Sequence, residues 1–117
     1  MTVSIYHNPR CSKSRQTKEL IEAQNITPTV IEYLKTPPSK TELKHILKLL
    51  QITARDLLRK KEAEYEELGL DNADLDEDQI IDIMIKHPKL IERPIVVTDK
   101  GAAIGRPPEN VLEILGD

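Results

Sequence analysis

Apolar and polar positions alternate at the start of the chain. "TVSIY" (2–6) predicts a β-strand. From Ser12 the spacing changes. In "SKSRQTKELIEAQN", Leu20 and Ile21 are expected to face inward from a helix, and Asn25 supplies its C-terminal stop. "TPTVIEYL" (27–34) is β-rich and predicts a second strand. Strand, helix and strand in succession make a βαβ unit, with parallel strands and a right-handed crossover.

"TPPSKTEL" then breaks the pattern. Ser39 and Glu42 form a capping box, and Leu43, Ile46, Leu47 and Leu50 recur at helical spacing. Thr53 introduces a short helix over 54–59. "DLDEDQIIDIMIKHP" predicts another, with Asp76 as its cap, acidic residues at its positive end and Pro88 as its stop. Near the end, "RPIVVT" and "GAAIGR" read as strands joined by the tight turn "DKG", an antiparallel hairpin. "PPENVLEIL" is a last helix, with Pro108 in its first turn and Val111, Leu112 and Leu115 expected to face inward. The expected architecture is α/β: one domain over 1–117, a four-stranded mixed sheet with flanking helices, and a helical insertion over 39–90 between strands 2 and 3.

Composition narrows the function classes. The net charge is −3, no long basic tract is present, and Phe and Trp are absent, which argues against nucleic acid as the main partner. The core must be aliphatic. No apolar run reaches the length of a membrane span, and the first residues do not read as a signal peptide, so the expectation is a cytoplasmic protein with no membrane partner. One cysteine and three scattered histidines give no metal-ligand spacing, so no metal is expected. The acidic run at Asp74, Asp76 and Asp78 lacks the EF-hand features, since Gln79 stands at the turn glycine and Ile85 at the bidentate glutamate. It reads as a solvated helix start, and His45 and His87 as exposed or helix-end residues.

The single cysteine is the candidate chemistry. "YHNPRCSKSR" (6–15) sets Cys11 where a strand ends and a helix begins. Unpaired N–H groups and the positive end of the helix dipole favour a thiolate there. His7, Arg10 and Arg15 are candidate contributors; Arg15 lies one helical turn past Cys11. Cys11 and Ser14 have CxxC spacing with serine in the second place. A serine can hydrogen-bond a thiolate but cannot resolve a mixed disulfide, so a resolving thiol such as glutathione would come from outside. A phosphatase-type loop is excluded, because Thr17 stands where that chemistry needs arginine.

"YHNPRCSKSR", "YLKTPPS", "LLRKKEAEYEELGL", "HPKLIERPIVV" and "IGRPPENVLEIL" together resemble the glutaredoxin-coupled arsenate reductases. That thioredoxin-like group also contains the Spx-type transcription regulators. The blocks run in the family's order over nearly the whole chain. The resemblance implies a thioredoxin/glutaredoxin-like fold, Cys11 as redox nucleophile, and His7 as a residue that helps stabilise its thiolate. It implies substrate-binding roles for Arg59, Arg93 and Arg106, whose guanidinium forks suit a tetrahedral oxyanion. On the residues alone, Arg59 reads as a surface residue. The resemblance also places the family's cis-proline at Arg93–Pro94. It implies arsenate as substrate, glutathione as co-substrate, glutaredoxin as partner and no tightly bound cofactor.

Two features depart from the better-known members. The chain stops at Asp117, where those carry a further C-terminal tail, and "AAIGRP" lacks the cysteine that some relatives have before this arginine. The chain is similar to a shorter subgroup. Two other readings stay open: a thiol-redox protein of another substrate, and an Spx-like regulator that docks on a large partner. The second sits poorly with Ser14, because such regulators usually carry both cysteines.

Overall fold

The computed structural model describes residues 2–116. Four strands, β1 (Ser4–Tyr6), β2 (Thr29–Ile31), β3 (Ile95–Thr98) and β4 (Gly101–Ile104), form one sheet in the order β2-β1-β3-β4. β1 and β2 run parallel, as a βαβ unit requires, while β3 is antiparallel to both β1 and β4. The mixed sheet and the hairpin are as expected. The second strand is shorter than its β-rich stretch. After Ile31 the carbonyl of Glu32 accepts the N–H groups of Lys35 and Thr36, both at 2.9 Å, and this local turn ends the pairing.

The chain divides into two compact units. One holds the sheet and runs up to Thr36 and again from Arg93 onward; the other is Pro37–Glu92. In the sheet unit, α1 (Ser12–Ala23) connects β1 to β2. Its Ile21 joins Val3, Ile5, Val96, Val111 and Leu115 in a cluster of buried residues. Fully burying one such side chain contributes about 1.5–3 kcal/mol. The exposed Lys18–Glu22 ion pair on the same helix, at 2.9 Å, belongs to a class worth about 0.3–0.5 kcal/mol. Apolar contact therefore fixes the helix to the sheet. Asn25 adopts φ 62 and ends α1, the left-handed stop its side chain suggested.

In the helical unit, α2 (Lys40–Leu50), α3 (Ala54–Leu57) and α5 (Glu77–Lys86) begin with complete capping boxes at Ser39, Thr53 and Asp76. Such caps are worth about 1 kcal/mol each. α5 packs against α2 and α3. The Glu77 carboxylate accepts the Ala54 N–H, with both oxygens at 3.0 Å. The Arg55 guanidinium donates to the carbonyls of Leu70 (2.8 Å), Asn72 (3.0 Å) and Leu75 (3.4 Å), which holds the loop before α5. α3 is shorter than its predicted span because Leu58 leaves the helix to form an antiparallel bridge with Ile91. One helix, α4 (Ala63–Glu67), had no signal, since it buries none of its residues and shows no apolar stripe.

The chain ends in a 3-10 turn at Pro108–Val111 followed by α6 (Leu112–Leu115). Val111 and Leu115 are buried as expected, but Leu112 is 41% exposed. Val111 and Leu115 stand four residues apart and share the buried face, while Leu112 lies about 100° round from Val111, on the solvent side.

The contact that fixes the end of β4 is close. Gly105 leaves no space for a side chain: a Cβ there would overlap Thr17 Oγ1 and come within 2.9 Å of Thr17 Cγ2 and Pro94 Cγ. Thr17 is fully buried, donates to Lys13 O at 2.8 Å, and lies 3.4 Å from Gly105 O. Gly105→Ala should therefore destabilise the protein by about 1–3 kcal/mol, the usual range for overpacking. Urea unfolding measures it. The Thr17→Ala background should recover part of the loss, because the two positions touch. A loss below about 0.5 kcal/mol, within the range of ordinary surface changes, would show that the contact yields easily.

Candidate active site

The turn after β1 carries the cysteine to the helix. His7 N–H donates to Ile31 O at 2.8 Å and extends the parallel pairing by one residue. Asn8 then closes the turn: its side chain accepts the Arg10 N–H and its carbonyl accepts the Cys11 N–H, both at 3.0 Å. Cys11 is the N-cap of α1, with extended backbone, and its carbonyl accepts the Arg15 N–H at 3.0 Å. The thiol is half-buried. No acidic residue occupies the first turn of α1, so nothing there offsets the positive helix end beside Cys11.

Three predicted residues form the support beneath this turn. Ser14 is fully buried, and its Oγ accepts the Asn8 N–H at 3.0 Å and lies 2.5 Å from His7 Nδ1. Those two bonds tie the first turn of α1 to the loop before it. The Arg15 guanidinium donates to Pro9 O at 2.8 Å and braces the same loop from outside. His7 is buried, and that burial holds its pKa below the usual 6.5. Lys18 and Arg15 push in the same direction, while Glu32 opposes them. A lowered pKa favours the neutral imidazole, whose Nδ1 bonds Ser14.

Arg106 reaches the site from the hairpin. Its register pairs Ile95 with Ile104 and Thr98 with Gly101. Continued by two places, the same register sets Arg93 opposite Arg106. Arg106 Nη1 lies 3.7 Å from Cys11 Sγ and donates to Arg93 O at 3.1 Å. Asn110 Nδ2 donates back to Arg106 O (3.1 Å) and lies 3.4 Å from Ile104 O, holding the segment that bears the guanidinium. The Arg93–Pro94 bond is cis, at the position the resemblance implied; Arg106–Pro107 is cis as well. Cys11, Arg106 and the Arg93 backbone thus come together within the sheet unit.

Arg59 belongs to the helical unit. Its surface reading is corrected: the side chain is only 16% exposed. Nη1 pairs with Glu92 at 3.0 Å, Nε lies 3.4 Å from Glu62, and the backbone N–H donates to Leu90 O at 2.8 Å. Glu62 stands three residues on and was readable as an i,i+3 neighbour. Glu92, 33 residues away, was not. Thr17, Gly105 and Asn110 also escaped sequence reading, because none carries a chemical signature. Among the described residues, no group of three or more His, Cys, Asp or Glu side chains could hold a metal ion.

The neutral His7 has a stability consequence. Its folded pKa lies below 6.5, so below pH 6.5 the unfolded chain binds a proton there that the folded chain refuses. Stability is lost as pH falls from 6.5, and the loss levels off below the folded value. The stability advantage of wild type over His7→Asn should therefore shrink between pH 7.5 and 5.5, measured by denaturant unfolding at each pH. An advantage that grew on acidification would contradict a neutral imidazole.

The comparisons with known proteins cover both units. The ArsC family matches residues 6–114. An arsenate reductase of Escherichia coli is 52% identical over 115 residues, which cover 98% of this chain and 82% of that protein. The uncharacterized protein YfgD of Escherichia coli K12 is 51% identical, with 97% of each chain covered. The solved structure of an arsenate reductase from Vibrio cholerae is 53% identical, covers 97% of this chain and 98% of its own, and superposes with a TM-score of 0.94. With Cys11, Arg59, Arg93 and Arg106 all inside the matched span, this chain belongs to the ArsC family.

Proposed function

We propose that this protein is an arsenate reductase, an oxidoreductase whose nucleophile is Cys11. The observation that carries the reading is Arg106 Nη1 at 3.7 Å from Cys11 Sγ, with Arg93 across the hairpin from it. An anion held by the Arg106 guanidinium has its central atom within reach of sulfur. Charge that builds on its oxygens during attack then meets cations already in place. Arg59 keeps its proposed substrate-binding role on the family resemblance alone; within its own unit it pairs with Glu62 and Glu92.

The reaction needs two electrons, and the chain has one cysteine. The Cys11 thiolate attacks arsenic(V), and one oxygen leaves as hydroxide or, with a proton, as water. Glutathione attacks the adduct, displacing a second oxygen and placing two sulfurs on arsenic. A glutaredoxin thiolate then attacks the glutathionyl sulfur. The bond between the glutathionyl sulfur and arsenic breaks, its electron pair stays on arsenic, and arsenic(V) becomes arsenic(III). Water releases arsenite and returns the Cys11 thiol. One disulfide forms for each arsenate reduced. His7, Ser14 and Arg15 support this chemistry by fixing the turn that holds Cys11, and no tightly bound cofactor takes part. We place the reaction in the cytoplasm, where thiols stay reduced; among the described residues no helix is long and apolar enough to cross a membrane.

Arsenate reduction coupled to glutathione and glutaredoxin tests the proposal. Cys11→Ser should abolish turnover, and Arg106→Ala should lower kcat by about 10²–10³, the usual loss of one preorganised donor. Retained turnover in Cys11→Ser would refute the mechanism. A protein that reduces small mixed disulfides but leaves arsenate untouched would instead be a thiol-redox enzyme of another substrate.

A further inference from the structure

Arg106 is exposed, and so is Asn110, four residues further on. A guanidinium at the end of a long exposed side chain has many conformations open to it, so its time beside the sulfur depends on what holds its base. Asn110 holds it. Nδ2 donates to Arg106 O at 3.1 Å and lies 3.4 Å from Ile104 O, so one carboxamide reaches the carbonyls on either side of Gly105. Ile104 O also accepts the Arg106 N–H at 2.9 Å. Asn110 is itself fixed. Its N–H donates to Pro107 O at 3.0 Å, and the next residue, Val111, is fully buried in the cluster with Val3, Ile5 and Ile21. The path from core to sulfur is continuous: Val111, Asn110, the Arg106 backbone, then Nη1, which donates to Arg93 O and ends 3.7 Å from Cys11 Sγ.

We propose that Asn110 is a positioning residue for the reductase: it acts through Arg106 and sets how much of the time positive charge stands at the sulfur. The proposal rests on the reductase reading, in which Arg106 meets the charge that builds on the oxyanion. It adds the residue that keeps the cation in place before substrate arrives. The bond lies at the surface, so its loss disturbs the fold little. The site is affected more, because a donor acts only if it already stands where charge develops. Stability and charge at the sulfur therefore separate.

Alkylation of Cys11 reads that charge without arsenate. The thiolate displaces iodide from anionic iodoacetate or from neutral iodoacetamide, forming one sulfur–carbon bond. Both reagents meet the same thiolate, so the ratio of their rates reports the local charge and not the extent of ionisation. Arg106→Ala should lower the ratio of iodoacetate to iodoacetamide about fivefold, the effect of one charge about 4 Å away in water. Asn110→Ala leaves the net charge unchanged and should lower the ratio about threefold, and kcat for arsenate about tenfold. Asn110→Ser should retain more of both, because a serine hydroxyl can bond the carbonyl four residues back. In the Arg106→Ala background, Asn110→Ala should change neither. Leu112→Ala, exposed on the same terminal segment, should leave the ratio unaltered. The proposal is overturned by an unchanged ratio in Asn110→Ala, an equal fall in Leu112→Ala, an Asn110→Ser variant no better than Asn110→Ala, or a further fall beyond that of Arg106→Ala. Failure of the reductase reading looks different: wild type turns over no arsenate, while the alkylation ratio still depends on Asn110.

Discussion

The arrangement of the site depends on the close approach of Gly105 to Thr17. A side chain at Gly105 would collide with Thr17 and Pro94, so the end of β4 can lie against α1 only because that residue has no Cβ. Thr17 is fixed on the helix that begins at Cys11, and Arg106 is the next residue after Gly105. One backbone-to-helix contact therefore sets where the guanidinium stands relative to the thiol. Asn110 completes the fixation from the other side, through its bond to the Arg106 carbonyl.

Around that contact the polar groups divide by role. Arg106 points toward the sulfur and carries positive charge to it. His7 is a neutral prop because burial disfavours its charged form. Ser14 and Arg15 hold the loop by hydrogen bonds to backbone and imidazole. This separation leaves the positive charge at the sulfur to the helix start and Arg106. The buried groups fix position, which a rigid turn needs more than it needs another cation.

Several parts of this were legible in the residues. Caps at Ser39, Thr53 and Asp76 were readable because a capping box lies within four residues of sequence. The hairpin was readable from a tight turn between two β-rich runs. Elsewhere the reading failed. Leu112 falls outward because the buried face takes Val111 and Leu115, four residues apart, and not the position between them, and α4 has no apolar stripe to detect.

The sequence by itself determined that one cysteine stands at a strand-to-helix junction, and that any second thiol comes from outside. Both follow from neighbouring residues or from a count. Only the tertiary structure decided that Arg106, 95 residues from Cys11 in the chain, lies beside its sulfur, and that Arg59 is covered by two carboxylates. Those proximities are set by hairpin register, by the bridge between Leu58 and Ile91, and by the missing Cβ of Gly105. Each is a long-range packing relation, and the spacing of residues along the chain does not encode distance across a fold.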